Sequence, residues 1–161
     1  MLGLPAVFGI DPARLDQRYR ELQGRVHPDR FAAASEAERR VAMQWATRAN
    51  EAYRTLRDPL ARARYLLSLK GYDTGEESNT AMPPDFLMQQ MEWREAAAEA
   101  RAERDHEALA RLRADLDAAR GEMLESLARA LDGASYDAGC SLVRKLRFLE
   151  KLDKEIDEAL Q

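Results

Sequence analysis

Apolar side chains recur at helical spacing in the first third of the chain. The dipeptide Asp11-Pro12 is typical of a helix start, and the apolar pattern after it stops at His27, because proline disfavours helical geometry in the residue before it. A capping box from Ser35 to Glu38 opens a longer helix. The predicted stripes are Leu15, Tyr19, Leu22 and Val26 in the first helix, and Val41, Trp45, Ala49, Ala52 or Tyr53, and Leu56 in the second. Two amphipathic helices with a short loop between them predict an antiparallel hairpin.

The rest of the chain also has a helical pattern. A second Asp-Pro pair at residues 58–59 predicts a short helix ending near Gly71, and the polar residues 72–84, which end in two prolines, are interpreted as a linker. Three further helices are predicted over roughly 85–103, 106–131 and 136–159. Their seams are Leu109, Leu112, Leu116, Ala119, Met123 and Leu127, and then Leu142, Leu146, Leu149, Leu152 or Asp153, and Ile156. We therefore predict an all-α protein: a hairpin domain over 1–71, a linker over 72–84 and an antiparallel three-helix bundle over 85–161.

Composition narrows the class of protein. Hydrophobic residues make up 45% and charged residues 34% of the 161 positions, which is typical of a soluble, mostly helical chain. The net charge of -4 disfavours nonspecific nucleic-acid binding, and no apolar run approaches the ~20 residues of a membrane span. Cys140 is the single cysteine, which excludes an internal disulfide and a CxxC metal clasp. The N-terminus lacks a signal-peptide pattern, so we expect a cytoplasmic, bacterial protein that binds neither nucleic acid nor membrane.

Arginines line one side of the first predicted helix, next to its apolar stripe. This basic ridge leads directly into a His-Pro-Asp triplet at residues 27–29, and Arg30 follows it. A basic ridge on an acidic chain predicts an acidic partner surface, although solvation of a helix face is the simpler explanation for any one arginine. The ridge consists of Arg14, Arg18 and Arg25, with Glu21 interrupting it.

The combination of a basic amphipathic helix, a His-Pro-Asp loop and a capped second helix resembles the J-domain family, the co-chaperones of Hsp70 ATPases. The stretch YRELQGRVHPDRF, residues 19–31, matches the family closely. The resemblance implies that the chain stimulates ATP hydrolysis by an Hsp70 through contacts that favour one conformation of that partner. It also implies a helix before residue 11, which we expect to be short or truncated here, because only MLGLPAVFGI precedes Asp11. The implied Hsp70-binding residues are Arg14, Arg18, Arg25, His27, Pro28, Asp29 and Arg30.

Three later blocks resemble the specialised J-domain co-chaperones of iron–sulfur cluster biogenesis, the HscB/Jac-type family. The blocks are LRDPLARARYLLSL, FLMQQMEWREAAAE and VRKLRFLEKL, in that order. General J-proteins continue instead with a Gly/Phe-rich segment and a cysteine-rich zinc module, which the sequence lacks. The family brings a cluster-scaffold protein to a dedicated Hsp70. The resemblance therefore implies these two partners, and no metal, cluster or other cofactor held by this chain.

The helix predicted from residue 85 has two different faces. Its core face is Phe86, Trp93, Ala97 and Ala100. Leu87, Met88 and Met91 lie outside that face beside glutamates, and exposed apolar side chains there would mark an interaction site. Two alternatives remain: these side chains pack against the N-terminal domain, or a different helix start turns them into the core. With the resemblance we favour a binding surface, whose implied scaffold-binding residues are Leu87, Met88, Met91, Glu92, Glu95, Glu99 and Phe148.

The sequence does not favour an enzyme. His27 and Asp29 could form an acid–base pair, but no nucleophile, metal-ligand set or phosphate-binding loop accompanies them. Two functions remain. The chain is either a co-chaperone that stimulates a dedicated Hsp70 and delivers the iron–sulfur scaffold to it, or a generic J-domain partner whose C-terminal bundle binds a different client.

Overall fold

Helices dominate the computed structural model, which describes residues 1–76 and 82–160 apart from the side chain of Pro28. This part of the chain contains six α-helices, one short 3-10 helix and no strand, so the all-α prediction is confirmed. The 3-10 helix, Pro28–Phe31, together with His27 is called the HPD turn below. The α-helices are α1 (Pro12–Val26), α2 (Glu36–Arg57), α3 (Pro59–Leu69), α4 (Pro84–Glu103), α5 (His106–Asp132) and α6 (Tyr136–Leu160).

The chain divides into two compact units, an N-terminal unit, Met1–Leu66, and a C-terminal unit, Leu67–Gln161. The sequence instead predicts domain limits at residues 71 and 85, which stay a prediction. The predicted linker, residues 72–84, lies partly outside the described residues. Its first part is bonded to α6, because Arg144 donates to the Thr74 carbonyl at 2.8 Å and Arg147 lies 3.4 Å from the Glu76 carboxylate.

Both helix-start signals of the hairpin act as the sequence predicts. The Asp11 carboxylate accepts the Ala13 N–H at 2.9 Å, and Pro12 takes the first helical position, where no N–H is needed. Ser35 and Glu38 form a reciprocal capping box, in which the Ser35 hydroxyl accepts the Glu38 N–H and the Glu38 carboxylate accepts the Ser35 N–H at 2.9 Å. These bonds fix where α1 and α2 begin.

The apolar stripe predicted for α2 is wrong in its first half. Val41 and Trp45 are 51% and 44% exposed, whereas Ala42 and Ala49 are buried. On the other side of the interface, α1 contributes large side chains, so α2 contributes small ones and the helices pack closely. A pattern built on the largest apolar residues therefore selects the face next to the buried one.

A stack of two tyrosines joins α1 to α2. The rings of Tyr19 and Tyr53 lie 4.1 Å apart and nearly parallel. The Tyr19 hydroxyl donates to the Asn50 side chain and the Tyr53 hydroxyl donates to the Asp16 carboxylate, each at 2.7 Å. The bond to Asp16 raises the pKa of Tyr53, so this hydroxyl remains a donor. These four residues form one side of the hairpin, which we call the tyrosine edge.

Residues 1–10 contain no helix but supply two buried side chains to the N-terminal unit. Leu2 and Phe8 are both buried, and the Arg62 guanidinium lies 4.8 Å from the centroid of the Phe8 ring. Arg62 is itself partly buried, which lowers its pKa. The expected short or truncated first helix would fall in this segment, which packs as irregular chain.

The C-terminal unit is built around α4, α5 and α6, whose limits differ from the predicted helices by at most one residue. Gly139 allows α6 to lie close to Leu67 and Leu131, since a Cβ at this position would meet their methyl groups at 3.4 and 3.3 Å. The buried core contains residues of both predicted seams. Its members are Phe86, Ala97, Ala100, Leu109, Leu112, Leu116, Phe148, Leu149, Leu152 and Ile156.

Replacing Ser35 by alanine is expected to destabilise the start of α2 by about 1 kcal/mol, because the Glu38 N–H loses its acceptor. Hydrogen bonds from the Ser35 side chain and backbone lower the pKa of Glu38. The contribution of Glu38 is therefore present above its unfolded-state pKa and is lost as the pH falls through the folded-state pKa. Amide hydrogen exchange in α2 should show a gap between wild type and Ser35→Ala that narrows in acid; a gap independent of pH would contradict this account.

Candidate functional site

The HPD turn presents two polar side chains to solvent. His27 ends α1 and caps the 3-10 helix, since its Nδ1 accepts the Asp29 N–H at 3.3 Å. The side chains of His27 and Asp29 are 56% and 89% exposed. The same Nδ1 lies 3.5 Å from the Asp29 carboxylate, so the two side chains lie together at the surface.

Arg30 holds the HPD turn against α1. Its guanidinium donates to the Gly24 carbonyl at 2.7 Å. This carbonyl lies in the last turn of α1, where helix carbonyls lack a partner within the helix. The 3-10 helix also packs on α2. The sequence assigns Arg30 a direct partner contact, which stays a prediction; in the free chain Arg30 fixes the position of the turn, a role that the sequence did not suggest.

The basic ridge of Arg14, Arg18 and Arg25 is exposed along α1, as the helical spacing predicts. Arg18 lies 3.2 Å from the Glu21 carboxylate. A hydrogen bond from Gln17, together with the charges of Arg18 and Arg25, lowers the pKa of Glu21, so this carboxylate is ionised near neutral pH. Both members of the pair are more than 40% exposed, and solvent screening makes such a pair weak. A carboxylate of a partner can therefore replace Glu21 at Arg18.

α4 presents an exposed apolar row beside an acidic row, and together we call them the docking face. Leu87, Met88 and Met91 are 42%, 64% and 71% exposed, whereas Phe86 is buried and Trp93 is half-buried. This orientation confirms the predicted helix phase and excludes the alternative in which a different helix start turns these three side chains into the core. The acidic row consists of Glu92, Glu95 and Glu99, all exposed.

Phe148 is not part of the exposed surface. Only 9% of its surface is accessible, it meets Phe86 edge to face with 6.0 Å between ring centroids, and the Arg94 guanidinium lies 5.2 Å from its ring centroid. The expectation that Phe148 extends the exposed apolar patch is therefore wrong for the free chain, because α4 and Arg94 cover the ring. Its predicted contact with the scaffold protein stays a prediction. The sequence reasoning missed Arg94, although it lies one helical turn after Met91.

Other chemistry-bearing side chains do not form a further site in the described part of the chain. Cys140 is buried, and burial raises the pKa of its thiol, which makes it an unreactive core side chain. No group of three or more His, Cys, Asp or Glu among the described residues could hold a metal ion. Within residues 1–76 and 82–160, every helix is too short or too polar to cross a bilayer.

Comparison with known proteins agrees with this geometry. Residues 82–157 match the family model of the HSCB C-terminal oligomerisation domain. A co-chaperone protein HscB homolog from Burkholderia multivorans is 55% identical over 158 residues, which cover 98% of this chain and 90% of the relative. The solved chaperone HscB from Vibrio cholerae is 40% identical with a TM-score of 0.85, covering 98% of this chain and 93% of its own. Human co-chaperone HscB is 29% identical with a TM-score of 0.92, covering 98% and 78%.

The fold and the HPD turn define the class: a helical J-type co-chaperone with an added C-terminal bundle. Since its relatives reach 55% identity over nearly the whole chain, the chain belongs to the HscB co-chaperone family. The resemblance drawn from the sequence is confirmed. The Jac1 co-chaperone of Saccharomyces cerevisiae, at 23% identity and a TM-score of 0.73, shares the fold.

Proposed function

We propose that this protein stimulates the ATPase of a dedicated Hsp70 and delivers an iron–sulfur cluster scaffold protein to it. The observation that carries the proposal is that each unit has its own exposed surface. The N-terminal unit carries the HPD turn and the basic ridge, and the C-terminal unit carries the docking face. Membership of the HscB family supports the pairing of these two activities in one chain.

The N-terminal unit acts on the Hsp70 without performing chemistry itself. The proline at position 28 restricts the backbone of the HPD turn, and Arg30 ties the turn to α1, so the exposed His27 and Asp29 are held in place before binding. Asp29 can accept charge-assisted hydrogen bonds from the Hsp70. Contacts that are stronger in the hydrolysing conformation of the Hsp70 shift its population toward that conformation. The chain is therefore an activator of an ATPase and not an enzyme.

The C-terminal unit would hold the scaffold through the docking face. Leu87, Met88 and Met91 supply exposed apolar area, and methionine adapts its shape to a partner. The neighbouring glutamates favour basic residues of the scaffold at the rim of the contact and disfavour acidic ones. The iron–sulfur cluster remains on the scaffold as cargo.

Charge is distributed unevenly between the units and supports two different partners. Residues 1–66 contain twelve Lys or Arg and eight Asp or Glu, whereas residues 67–161 contain thirteen Lys or Arg and twenty-one Asp or Glu. The N-terminal unit therefore favours an acidic partner and the C-terminal unit a basic one. Curated relatives from bacteria such as Burkholderia multivorans support a bacterial protein, for which we propose a cytoplasmic location.

Single-turnover ATP hydrolysis by the dedicated Hsp70, with and without the scaffold protein, tests the proposal. We expect this chain to accelerate hydrolysis and the scaffold to increase that acceleration further. Acceleration that does not respond to the scaffold would favour the second candidate, a generic J-domain partner whose bundle binds a different client. The absence of any acceleration would overturn both.

Replacing Arg18 by alanine is expected to raise the concentration of this chain needed for half-maximal stimulation by about three- to tenfold at low ionic strength, because an exposed charge of the basic ridge is lost. The effect should shrink at ~0.5 M salt, where the Debye length falls below about 5 Å. Arg111→Ala, an exposed arginine of α5 paired with Glu107, is the control and should have no effect. An Arg18→Ala effect of the same size at both salt concentrations would count against electrostatic binding by the ridge.

A further inference from the structure

α2 exposes two large apolar side chains that the function described so far does not use. Val41 and Trp45 are 51% and 44% exposed. They are four residues apart and therefore neighbours on one side of α2. The face of α2 that packs on α1 is formed instead by small residues such as Ala42 and Ala49. An exposed tryptophan beside an exposed valine is an uncommon solvated surface and indicates a contact site.

Helical phase assigns this pair to one side of the hairpin. On α1, the basic ridge lies on the opposite side of the apolar stripe from the tyrosine edge. On α2, Val41 and Trp45 likewise lie on the opposite side of the buried stripe from the tyrosine edge. The hydrogen bonds of the tyrosine edge join α1 and α2 on one face of the hairpin. The side of α1 away from this edge and the side of α2 away from it therefore both lie on the other face of the hairpin. The basic ridge and the Val41–Trp45 pair therefore share a surface.

The antiparallel register brings this pair to the HPD turn. Tyr19 bonds to Asn50 and stacks on Tyr53, and each step forward in α1 corresponds to a step backward in α2. Counting from these contacts, Trp45 lies at the level of Arg25 and Val41 at the level of the HPD turn. The HPD turn itself packs on α2. The pair is thus continuous with the residues proposed to engage the Hsp70.

Two arginines lie near the apolar pair. By the register above, Arg25 lies across the hairpin at the level of Trp45, and Arg48 follows Trp45 by three residues on the same side of α2. Arg48 is exposed, and its guanidinium has no ion pair within the described residues. An apolar centre with unpaired guanidinium groups at its border fits a partner surface that is acidic around an apolar depression.

We propose that Val41, Trp45 and Arg48 form a second contact surface for the Hsp70 that the HPD turn engages. The inference rests on the proposed function and adds an apolar anchor to its electrostatic contacts. An isologous contact with a second copy of this chain is a poorer occupant, because the N-terminal unit has twelve Lys or Arg against eight Asp or Glu and would meet a surface of like charge. Tryptophan is also among the residue types that are enriched at energetically dominant interface positions.

Titration of Hsp70 ATP hydrolysis with variant chains gives the first test. Trp45→Ala is expected to raise the concentration for half-maximal stimulation about tenfold and to leave maximal stimulation unchanged. Met43→Ala is the matched control, since Met43 is 60% exposed on the same helix but lies on a different side of it, and it should change neither value. An unaffected Trp45→Ala variant, or an equal loss in both variants, would overturn the proposal.

Fluorine NMR gives a direct reading of burial. The chain has two tryptophans, so labelling with 5-fluorotryptophan gives two signals, which Trp45→Phe assigns. On addition of ATP-bound Hsp70, the Trp45 signal is expected to shift and to lose its accessibility to a soluble paramagnetic agent, while Trp93 in α4 remains unchanged. If wild type stimulates the ATPase but Trp45 stays accessible at saturation, only this inference fails; if wild type gives no stimulation, the proposed function fails with it. A Trp45 shift that follows the concentration of this chain without Hsp70 would overturn the proposal in favour of self-association.

Discussion

Substitution of His27 by glutamine is expected to reduce Hsp70 stimulation to the basal rate of ATP hydrolysis while leaving the fold and scaffold binding intact. The imidazole Nδ1 accepts the Asp29 N–H and so caps the 3-10 helix. Its exposed ring belongs to the surface that we propose for binding the Hsp70. Glutamine is polar but flexible, so it loses side-chain entropy on binding and does not hold the turn in one geometry.

Exposure explains why the fold should survive this change. The His27 side chain is 56% exposed and lies outside the buried core, and the position of the turn is also held by the bond from Arg30 to the Gly24 carbonyl. Loss of the cap at Asp29 is expected to lower the free energy of unfolding by about 1 kcal/mol or less, because the bond lies at an exposed turn. Circular dichroism should therefore match wild type, and thermal unfolding should shift by only a few degrees.

The second histidine of the chain offers a matched control. His106 is exposed in the first turn of α5, in the other unit, and His106→Gln should leave stimulation, fold and scaffold binding unchanged. Single-turnover hydrolysis and isothermal titration with the scaffold are the two measurements. If His27→Gln abolished both stimulation and scaffold binding, the two surfaces would not be independent and the two-site account would be wrong.

Local signals account for what the sequence predicted well. Asp11-Pro12 and the Ser35–Glu38 capping box act over three residues, so their hydrogen bonds do not depend on tertiary structure. The docking face was also predictable, because Phe86 and Trp93 are larger than the residues on the other faces of α4 and so fix its phase. The exposure of Leu87 and Met91 follows from that phase.

The features that were not predicted from the sequence depend on tertiary structure. On α2, the buried face contains alanines because α1 contributes the larger side chains. A prediction based on the large apolar residues Val41 and Trp45 therefore selects the wrong face of α2. The bond between Tyr19 and Asn50 joins residues 31 positions apart, which no local pattern reports. The position of Phe148 in the apolar pattern of α6 is compatible with a place on the surface or in the core. The packing of α4 against α6 buries it.

Simultaneous replacement of Leu87 and Met91 by alanine is expected to weaken scaffold binding by about 2–4 kcal/mol in total, roughly 30- to 1000-fold in Kd. The two side chains are four residues apart in the apolar row of the docking face and lie on one side of α4. Each truncation removes apolar area that a bound scaffold would bury. Isothermal titration calorimetry with the scaffold protein measures the loss.

An apolar pair on another helix separates a specific effect from a general loss of surface hydrophobicity. Tyr65 and Leu69 are also four residues apart, on α3, and are 47% and 54% exposed. Tyr65→Ala with Leu69→Ala should leave the Kd for the scaffold unchanged. Equal weakening in both double variants would show that the docking face is not specific.

The double variant Leu87→Ala with Met91→Ala also tests whether the two surfaces act independently, in a single ATPase assay. Because Leu87 and Met91 are 42% and 71% exposed, their replacement should not unfold the bundle, and the N-terminal unit should still stimulate the Hsp70 to the level seen without scaffold. Only the additional stimulation produced by the scaffold should disappear. Loss of helical signal would mean that these residues stabilise the core, and loss of the scaffold-independent stimulation would mean that the docking face also contacts the Hsp70. A co-chaperone with two independent surfaces requires that the variant keep the scaffold-independent stimulation and lose the additional stimulation by the scaffold.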